Sequence, residues 1–399
     1  MRIETPRYTE RFGAVRLNDV QKVLELDAGR GDGCAAQEGL AVQRIDEATL
    51  RDVEQRMAIV LPTKDEKLKL FEGVIGGIPH ECLMILVSNS ERERVDHFRM
   101  EWETLEQYCQ FTRRHAIAVH QKDPTLGRAL QAAGYPHVLD DDGLIRDGKA
   151  EGMIVGMLLA KLAGKDYVGF IDADNYFPGS VWEYVRSYAA GLSMANSPYS
   201  MVRILWRYKP KLSTHGFYFK KWGRVSQTTN RVMNALVSIN TGFETDVVKT
   251  GNAGEHAMSI RLAEILPYAA GFAVEPQELL SIFEAYGGIH AAPDRDAARQ
   301  GVQIVQLESR NPHLHEDKGQ NHLLEMLMAG LGAVYHSSLS DDTVRDLIRD
   351  ELDRQGALPR DHAPPCPTVM PPFGDADVEA LNEALGECCH DIWISGRPK

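Results

Sequence analysis

The sequence predicts an α/β fold: a Rossmann-like, mostly parallel sheet with helices on both faces, followed by a C-terminal helical region. Three observations carry this. Short apolar runs recur at Met57–Leu61, Cys82–Val87, Ala116–Val119 and Tyr167–Ile171. Stretches with helical spacing separate them, such as Leu68, Phe71, Val74 and Ile75. The runs also end in polar clusters: Pro62-Thr63-Lys64-Asp65-Glu66, Ser88-Asn89-Ser90 and Asp172-Ala173-Asp174-Asn175. Strands alternating with helices pair in parallel, because each crossover helix returns the chain to the same end of the sheet. Ligands bind such sheets beyond the carboxyl ends of the strands, where these clusters fall.

The elements divide the chain into four stretches. Residues 1–50 read as an N-terminal extension, with short strands around Phe12, Val15, Leu17, Val20 and Val23 and a loop at Ala28–Gly33. Residues 51–195 hold the alternating runs, with helices over 95–112 and 150–163. From 196 to 340 the pattern changes: a strand at Met201–Trp206 leads into the basic segment Arg207-Tyr208-Lys209-Pro210-Lys211, then an aromatic and basic run at Phe217–Trp222. Residues 341–399 form a tail, proline-rich over 360–374, with a helix at Val378–Leu385. No internal repeat is evident.

Composition narrows the function. Hydrophobic residues are 43% and charged residues 25% of 399, as in ordinary globular enzymes. A formal net charge of -13 argues against nucleic acid or an anionic membrane as partner. The apolar stretch Met153–Ala163 is interrupted by Lys161 and too short to span a bilayer. The N-terminal residues are charged throughout, unlike a signal peptide, and no Cys-x-x-Cys pair occurs, so a cytoplasmic protein with reduced thiols is expected.

The tripeptide Asp-Ala-Asp occurs twice. Asp375-Ala376-Asp377 follows Pro-Pro-Phe-Gly and opens a helix, where carboxylates cap free N–H groups. Asp172-Ala173-Asp174 instead follows the apolar strand and precedes Asn-Tyr-Phe-Pro-Gly. Two carboxylates delivered to a strand end can hold a divalent cation, Mg2+ or Mn2+, against a diphosphate. Lys149, after Gly148 at a helix start, can reach a phosphate; a solvated turn lysine is the plain alternative. Gly223-Arg224-Val225-Ser226 can form a phosphate cradle or simply place an N-cap at Ser226. In Asn311-Pro312-His313-Leu314-His315-Glu316-Asp317-Lys318-Gly319 either His313 or His315 can complete a metal shell. Asn252 lies in a glycine-bounded polar loop, and Glu275 ends the short apolar run Gly271–Val274, suited to sugar hydroxyls. No G-x-G-x-x-G, Walker A, G-x-S-x-G or H-E-x-x-H string occurs, which removes support for dinucleotide oxidoreductases, P-loop kinases, serine hydrolases and common zinc proteases.

Taken in order, VLPTKDE, LVSNS, RDGKAEG, FIDADNYFPG, MVRILWRYKPK, GRVS, VKTGNAGEHA, GFAVEPQEL and NPHLHEDKG resemble the mannosyl-3-phosphoglycerate synthases, from near residue 5 to about 325. A shorter set is similar to glucosyl-3-phosphoglycerate synthases, but NYFPG and RILWRYKPK favour the mannosyl branch. The resemblance implies a GT-A glycosyltransferase fold, a divalent metal, and retaining transfer from GDP-mannose to 3-phosphoglycerate. It makes 51–195 the nucleotide-sugar half and 196–340 the half that completes the acceptor and metal sites. Residue by residue, it implies nucleotide contacts from Pro62, Thr63, Glu66 and Ser88, and diphosphate or sugar contact from Lys149. Asp172 and Asp174 would meet the ribose and metal; Asn252 and Glu275 would face the transferred sugar; His313 or His315 would be the further metal ligand. The acceptor phosphate would sit on Gly223, Arg224 and Ser226, the last a threonine in the glucosyl relatives. A homodimer is the expected assembly. The rival readings are the glucosyl enzyme with UDP- or GDP-glucose, and a sugar-phosphate nucleotidylyltransferase, which would want a glycine-rich loop where Pro-Thr-Lys-Asp-Glu stands.

Overall fold

A computed structural model of the chain describes residues 1–26, 41–175, 177–206, 209–213, 216–220, 224–316, 320–387 and 392–394. The N-terminal strands are β1 (Arg2–Glu4), β2 (Thr9–Phe12), β3 (Val15–Asn18), β4 (Gln21–Glu25) and β5 (Val42–Arg44). Helix α1 (Glu47–Gln55) then leads into the repeating unit: β6 (Met57–Thr63), α2 (Leu68–Gly77), β7 (Leu83–Ser88), α3 (His97–Thr112) and β8 (Ala116–His120). Helices α4 (Pro124–Ala132) and α5 (Lys149–Leu162) return the chain to β9 (Tyr167–Phe170), and α6 (Pro178–Met194) carries it to β10 (Tyr199–Trp206). A hairpin, β11 (Lys209–Ser213) and β12 (Gly216–Lys220), precedes the long helix α7 (Arg224–Thr241). Next come β13 (His256–Ser259), α8 (Ile260–Ala263), β14 (Tyr268–Ala269), α9 (Val274–Tyr286), α10 (Arg295–Gln300), β15 (Val302–Ser309) and β16 (His315–Glu316). The chain finishes with α11 (Gln320–His336), α12 (Asp342–Arg354), β17 (Val369–Met370), α13 (Val378–Glu387) and β18 (Ile392–Ile394).

The main sheet runs β18-β8-β7-β6-β9-β13-β10-β15-β4-β1-β5, with β3 also on β15. The pairs β8/β7, β7/β6 and β6/β9 are parallel, as are β10/β15 and β15/β3; β13 is antiparallel between β9 and β10. This is the α/β arrangement the apolar runs predict. Within β6 the side chains alternate: Ala58 and Val60 join the core on one face, Ile59 and Leu61 the core on the other. Helix α5 covers the first face so closely that a Cβ at Gly156 would lie 2.3 Å from Val60 Cγ1. It is apolar nearly all round because it is buried nearly all round. Helix α6 covers the second face, contributing Val181, Tyr184, Val185 and Tyr188.

The N-terminal strands do not stand apart: β3 and β4 both pair with β15, so residues 1–25 extend the main sheet. Within the proline-rich tail, β17 pairs with β14. Among the described residues no helix is long and apolar enough to cross a membrane.

Asp377 caps α13, accepting from the N–H groups of Glu379 and Ala380 at 3.0 Å each. The second Asp-Ala-Asp is therefore a helix start. Asp377→Ala is expected to cost about 1 kcal/mol of stability, read as a lower thermal midpoint, while turnover stays at the wild-type rate.

Candidate active site

The strand order reverses at β6: the chain leaves β6 for β7 on one side and re-enters as β9 on the other. Beyond the carboxyl ends of two such strands a crevice opens, because their connections diverge. Thr63 ends β6, and Asp172 to Asn175 follow β9. Lys149 is the first residue of α5, with Gly148 as its N-cap. The Glu151 carboxylate packs against Gly148 and would have to move for a side chain there, since it would lie 2.0 Å from an added Cβ. Lys149 Nζ donates to Asp172 Oδ1 at 2.7 Å and to Glu275 Oε1 at 3.0 Å. Burial opposes the charge on Lys149, but the two carboxylates outweigh it and hold its pKa well above the ordinary lysine value. Gly254 lets the backbone pass against this group, since a Cβ there would lie 2.9 Å from Asp172 Oδ2. Glu275 occupies the first turn of α9, where a carboxylate suits the helix dipole.

Beside this cluster, Asp174 is buried, and so are Asn175, Glu255 and His313. Asn175 Nδ2 donates to the Asp172 carbonyl at 3.1 Å and to Glu255 Oε1 at 2.9 Å. Its Oδ1 lies 3.1 Å from His313 Nδ1, and the same nitrogen is 3.4 Å from Glu255 Oε1. The imidazole stacks on Trp206, with centroids 4.6 Å apart and planes 27° from parallel. Helix α6 fixes the segment before His313. Glu183 accepts from the N–H groups of Arg310 (2.5 Å) and Asn311 (2.8 Å) and from Asn311 Nδ2 (2.6 Å), and Ser180 Oγ donates to the Pro312 carbonyl at 3.1 Å.

A third group lies beneath. Arg203, fully buried in β10, donates from Nε to the Thr250 carbonyl at 2.9 Å and from Nη2 to the Glu275 carbonyl at 3.0 Å. Its Nη1 pairs with Glu278 Oε2 at 3.0 Å, and Glu278 Oε1 is 3.1 Å from His256 Nε2. The loop so braced carries Asn252, whose Oδ1 is buried and has no hydrogen-bond partner among the described residues, and the same holds for Thr229 Oγ1 nearby on α7.

The structure thus brings Lys149, Asp172 and Glu275 into direct contact, and sets Asp174 and His313 next to residues that bind one another. Pro62 and Thr63 are the last two residues of β6, and Glu66 follows in the loop to α2. Ser88 ends β7, and its hydroxyl donates to Glu101 Oε2 at 2.6 Å, while Ser90 donates to Oε1 at 2.7 Å. Burial raises the Glu101 pKa and the two serine hydrogen bonds oppose the rise. Helix α7 begins at Arg224, so Ser226 is inside the first turn and is not the N-cap. Gly223 and the side chains of Arg224 and His315 lie outside the described residues, and His313 precedes β16, so the two histidines do not share a strand. Among the described residues no three metal-ligating side chains form a group. Sequence reading missed Asn175, Glu183, Arg203, Glu255 and Glu278. Glu255 and Asn175 each sit inside a motif it singled out; Arg203, a lone charge inside an eight-residue apolar strand, was the available signal for a buried ion pair.

A family model described as mannosyl-3-phosphoglycerate synthase matches residues 5–385. A mannosyl-3-phosphoglycerate synthase of Pyrococcus furiosus is 44% identical over 380 residues, covering 95% of each chain. One of Aeropyrum pernix is 39% identical over 401 residues, covering 99% of this chain and 100% of its own. A solved structure of glucosyl-3-phosphoglycerate synthase from Mycobacterium tuberculosis, with Mn2+, UDP-glucose and phosphoglyceric acid, superposes with a TM-score of 0.46 at 19% identity, covering 81% of this chain and 94% of that one.

Removing the Arg203 charge leaves Glu278 buried without its guanidinium. Arg203→Met is expected to destabilise the fold by about 3–5 kcal/mol, measured by denaturant unfolding, and Glu278→Gln by less, because a neutral amide can still accept from Arg203.

Proposed function

Because the chain belongs to the mannosyl-3-phosphoglycerate synthase family, we propose that it transfers mannose from GDP-mannose to 3-phosphoglycerate with retention of anomeric configuration. The observation that carries the site assignment is the Lys149–Asp172–Glu275 cluster at the point where the strand order reverses. A nucleoside diphosphate fits there with its nucleoside along the β6 end, at Pro62, Thr63 and Glu66, and the Ser88 backbone beside them. Asp172 meets the ribose, and Lys149 turns its charge to the diphosphate.

The donor set suits a divalent cation, Mg2+ or Mn2+: Asp174 offers a buried carboxylate, and one of His313 and His315 would join it. Such a cation, when bound, supplies positive charge against the departing diphosphate. The remaining work falls to side chains. Asn252, whose buried oxygen has no hydrogen-bond partner among the described residues, and Glu275 orient the hydroxyls of the transferred sugar. Gly223, Arg224 and Ser226 hold the acceptor phosphate in this reading, since a glycine N–H, a guanidinium and a hydroxyl are the donors a phosphate cradle uses. Glu275 is already committed to Lys149, so it suits hydroxyl binding better than nucleophilic attack. Retention then follows from attack on the face from which the diphosphate leaves, the acceptor proton passing to the leaving phosphate, with the enzyme supplying position and charge. The proposed setting is the cytoplasm and the proposed assembly a homodimer, which light scattering on the purified protein would read.

A panel of GDP- and UDP-sugars with 3-phosphoglycerate should give product fastest with GDP-mannose. EDTA should stop the reaction reversibly, and Asp174→Ala should abolish it. Full activity in excess EDTA would exclude the metal assignment.

Arg224→Ala tests the acceptor side. Charge-assisted phosphate contacts are worth roughly 1.5–3 kcal/mol, so the KM for 3-phosphoglycerate should rise about tenfold to over a hundredfold. Donor affinity, measured by calorimetry, should stay unchanged; loss of donor binding with intact acceptor use would reverse the assignment.

A further inference from the structure

We propose that Asn175, backed by Glu255, is a positioning residue that fixes the tautomer of His313, placing the ring proton on Nδ1 and the lone pair on Nε2. Asn175 Nδ2 faces two acceptors, the Asp172 carbonyl at 3.1 Å and Glu255 Oε1 at 2.9 Å. Only an NH2 group can satisfy both, so the orientation of the amide follows from its partners. Its Oδ1 is then an acceptor and stands 3.1 Å from His313 Nδ1. Glu255 Oε1, 3.4 Å from the same nitrogen, is also an acceptor. A neutral imidazole carries one proton, and a nitrogen set against an amide oxygen and a carboxylate oxygen is where that proton belongs.

Everything around the ring restrains it from turning over. Trp206 stacks on it, Glu183 grips the backbone N–H groups of Arg310 and Asn311, and Ser180 holds the Pro312 carbonyl. A histidine anchored through one nitrogen by an acceptor presents a more basic and better aimed second nitrogen, and loss of such an anchor typically costs 10–100-fold in metal affinity. The consequence for metal binding rests on the reading of His313 as a candidate ligand; the tautomer does not. Asn175 follows the Asp172-Ala173-Asp174 string directly, so the strand end that supplies the carboxylates also orders the histidine from a distant part of the chain.

The test uses full-length protein with 15N-labelled histidine, stripped of metal, at a pH where the ring is neutral. The His313 signals are assigned by their loss in His313→Gln. The expected spectrum has His313 as the Nδ1–H tautomer; Asn175→Leu, which removes the amide acceptor, should shift it toward a mixture or toward Nε2–H, whereas Asn175→Asp, which keeps an oxygen acceptor there, should not. An Nε2–H ring in the wild type would overturn the proposal, and so would a spectrum unchanged in Asn175→Leu. Mn2+ titration followed by electron paramagnetic resonance adds the second readout: Asn175→Leu should bind about 10–100-fold more weakly, with GDP affinity retained in metal-free buffer. If His313→Gln bound Mn2+ as the wild type does, the ligand assignment would fail, while the spectra would still decide the tautomer.

Discussion

The site hangs on one buried guanidinium. Arg203 lies in the middle of β10 with no exposed surface, and each of its N–H groups has an acceptor: Thr250, Gly251 and Glu275 carbonyls, a Glu278 carboxylate oxygen and Met201 Sδ. A planar fork with five donors is suited to such a junction, where a lysine would leave most of these acceptors unmet. Burial holds its pKa below the usual arginine value, with Glu278 and Glu275 opposing that only in part. The acceptors it collects are not neighbours in the chain. They belong to the loop that carries Asn252 and to the first turns of α9 that carry Glu275 and Glu278. One side chain from the central sheet therefore sets where two candidate sugar-facing residues stand.

From that brace the rest of the site follows by contact. Glu275, placed by its own carbonyl on Arg203, reaches Lys149; Lys149 reaches Asp172 at the end of β9. Parts of the chain more than a hundred residues apart are joined in this way through a run of alternating charges. Such a run costs little only if each member is matched, since an unmatched charge in this position carries a desolvation penalty of several kcal/mol. Gly254 contributes by having no side chain, allowing its loop to lie against the Lys149–Asp172 pair.

Much of this was legible in the sequence, and the division has a physical basis. Strands buried on both faces are near-continuous apolar runs, so β6, β7, β8 and β9 could be read directly, and their ends located the crevice. Helix starts were legible too, including α5 behind Gly148 and α13 behind Asp377. Start positions moved by a residue or two: α3 begins at His97, because Asp96 accepts from the Arg99 N–H at 2.9 Å and ends the loop there. The run before Glu275 proved to be a short 3-10 turn feeding α9, and Pro276, tolerated in a helix's first turn, was the signal for it. What stayed hidden were partnerships. That Ser88 is bound to Glu101, or that Asn175 lies between Glu255 and His313, depends on which helix covers which strand end, and no local spacing encodes it.

The two copies of Asp-Ala-Asp show how context assigns chemistry to the same atoms. Asp377 is exposed at a helix start, where water and free N–H groups satisfy it and its charge costs little. Asp174 is buried beyond a strand end, and the carboxylates of Asp172, Glu255 and Glu275 crowd the same region. Lys149 contacts Asp172 and Glu275 directly, and Arg203 pairs with Glu278. A diphosphate donor brings further negative charge into a chain already at -13. Coulomb repulsion between such groups in a partly buried crevice amounts to roughly 4 kcal/mol per pair at about 4 Å. In the proposed reading a divalent cation on Asp174 would offset part of that repulsion, so that the donor and the cation would favour each other's binding.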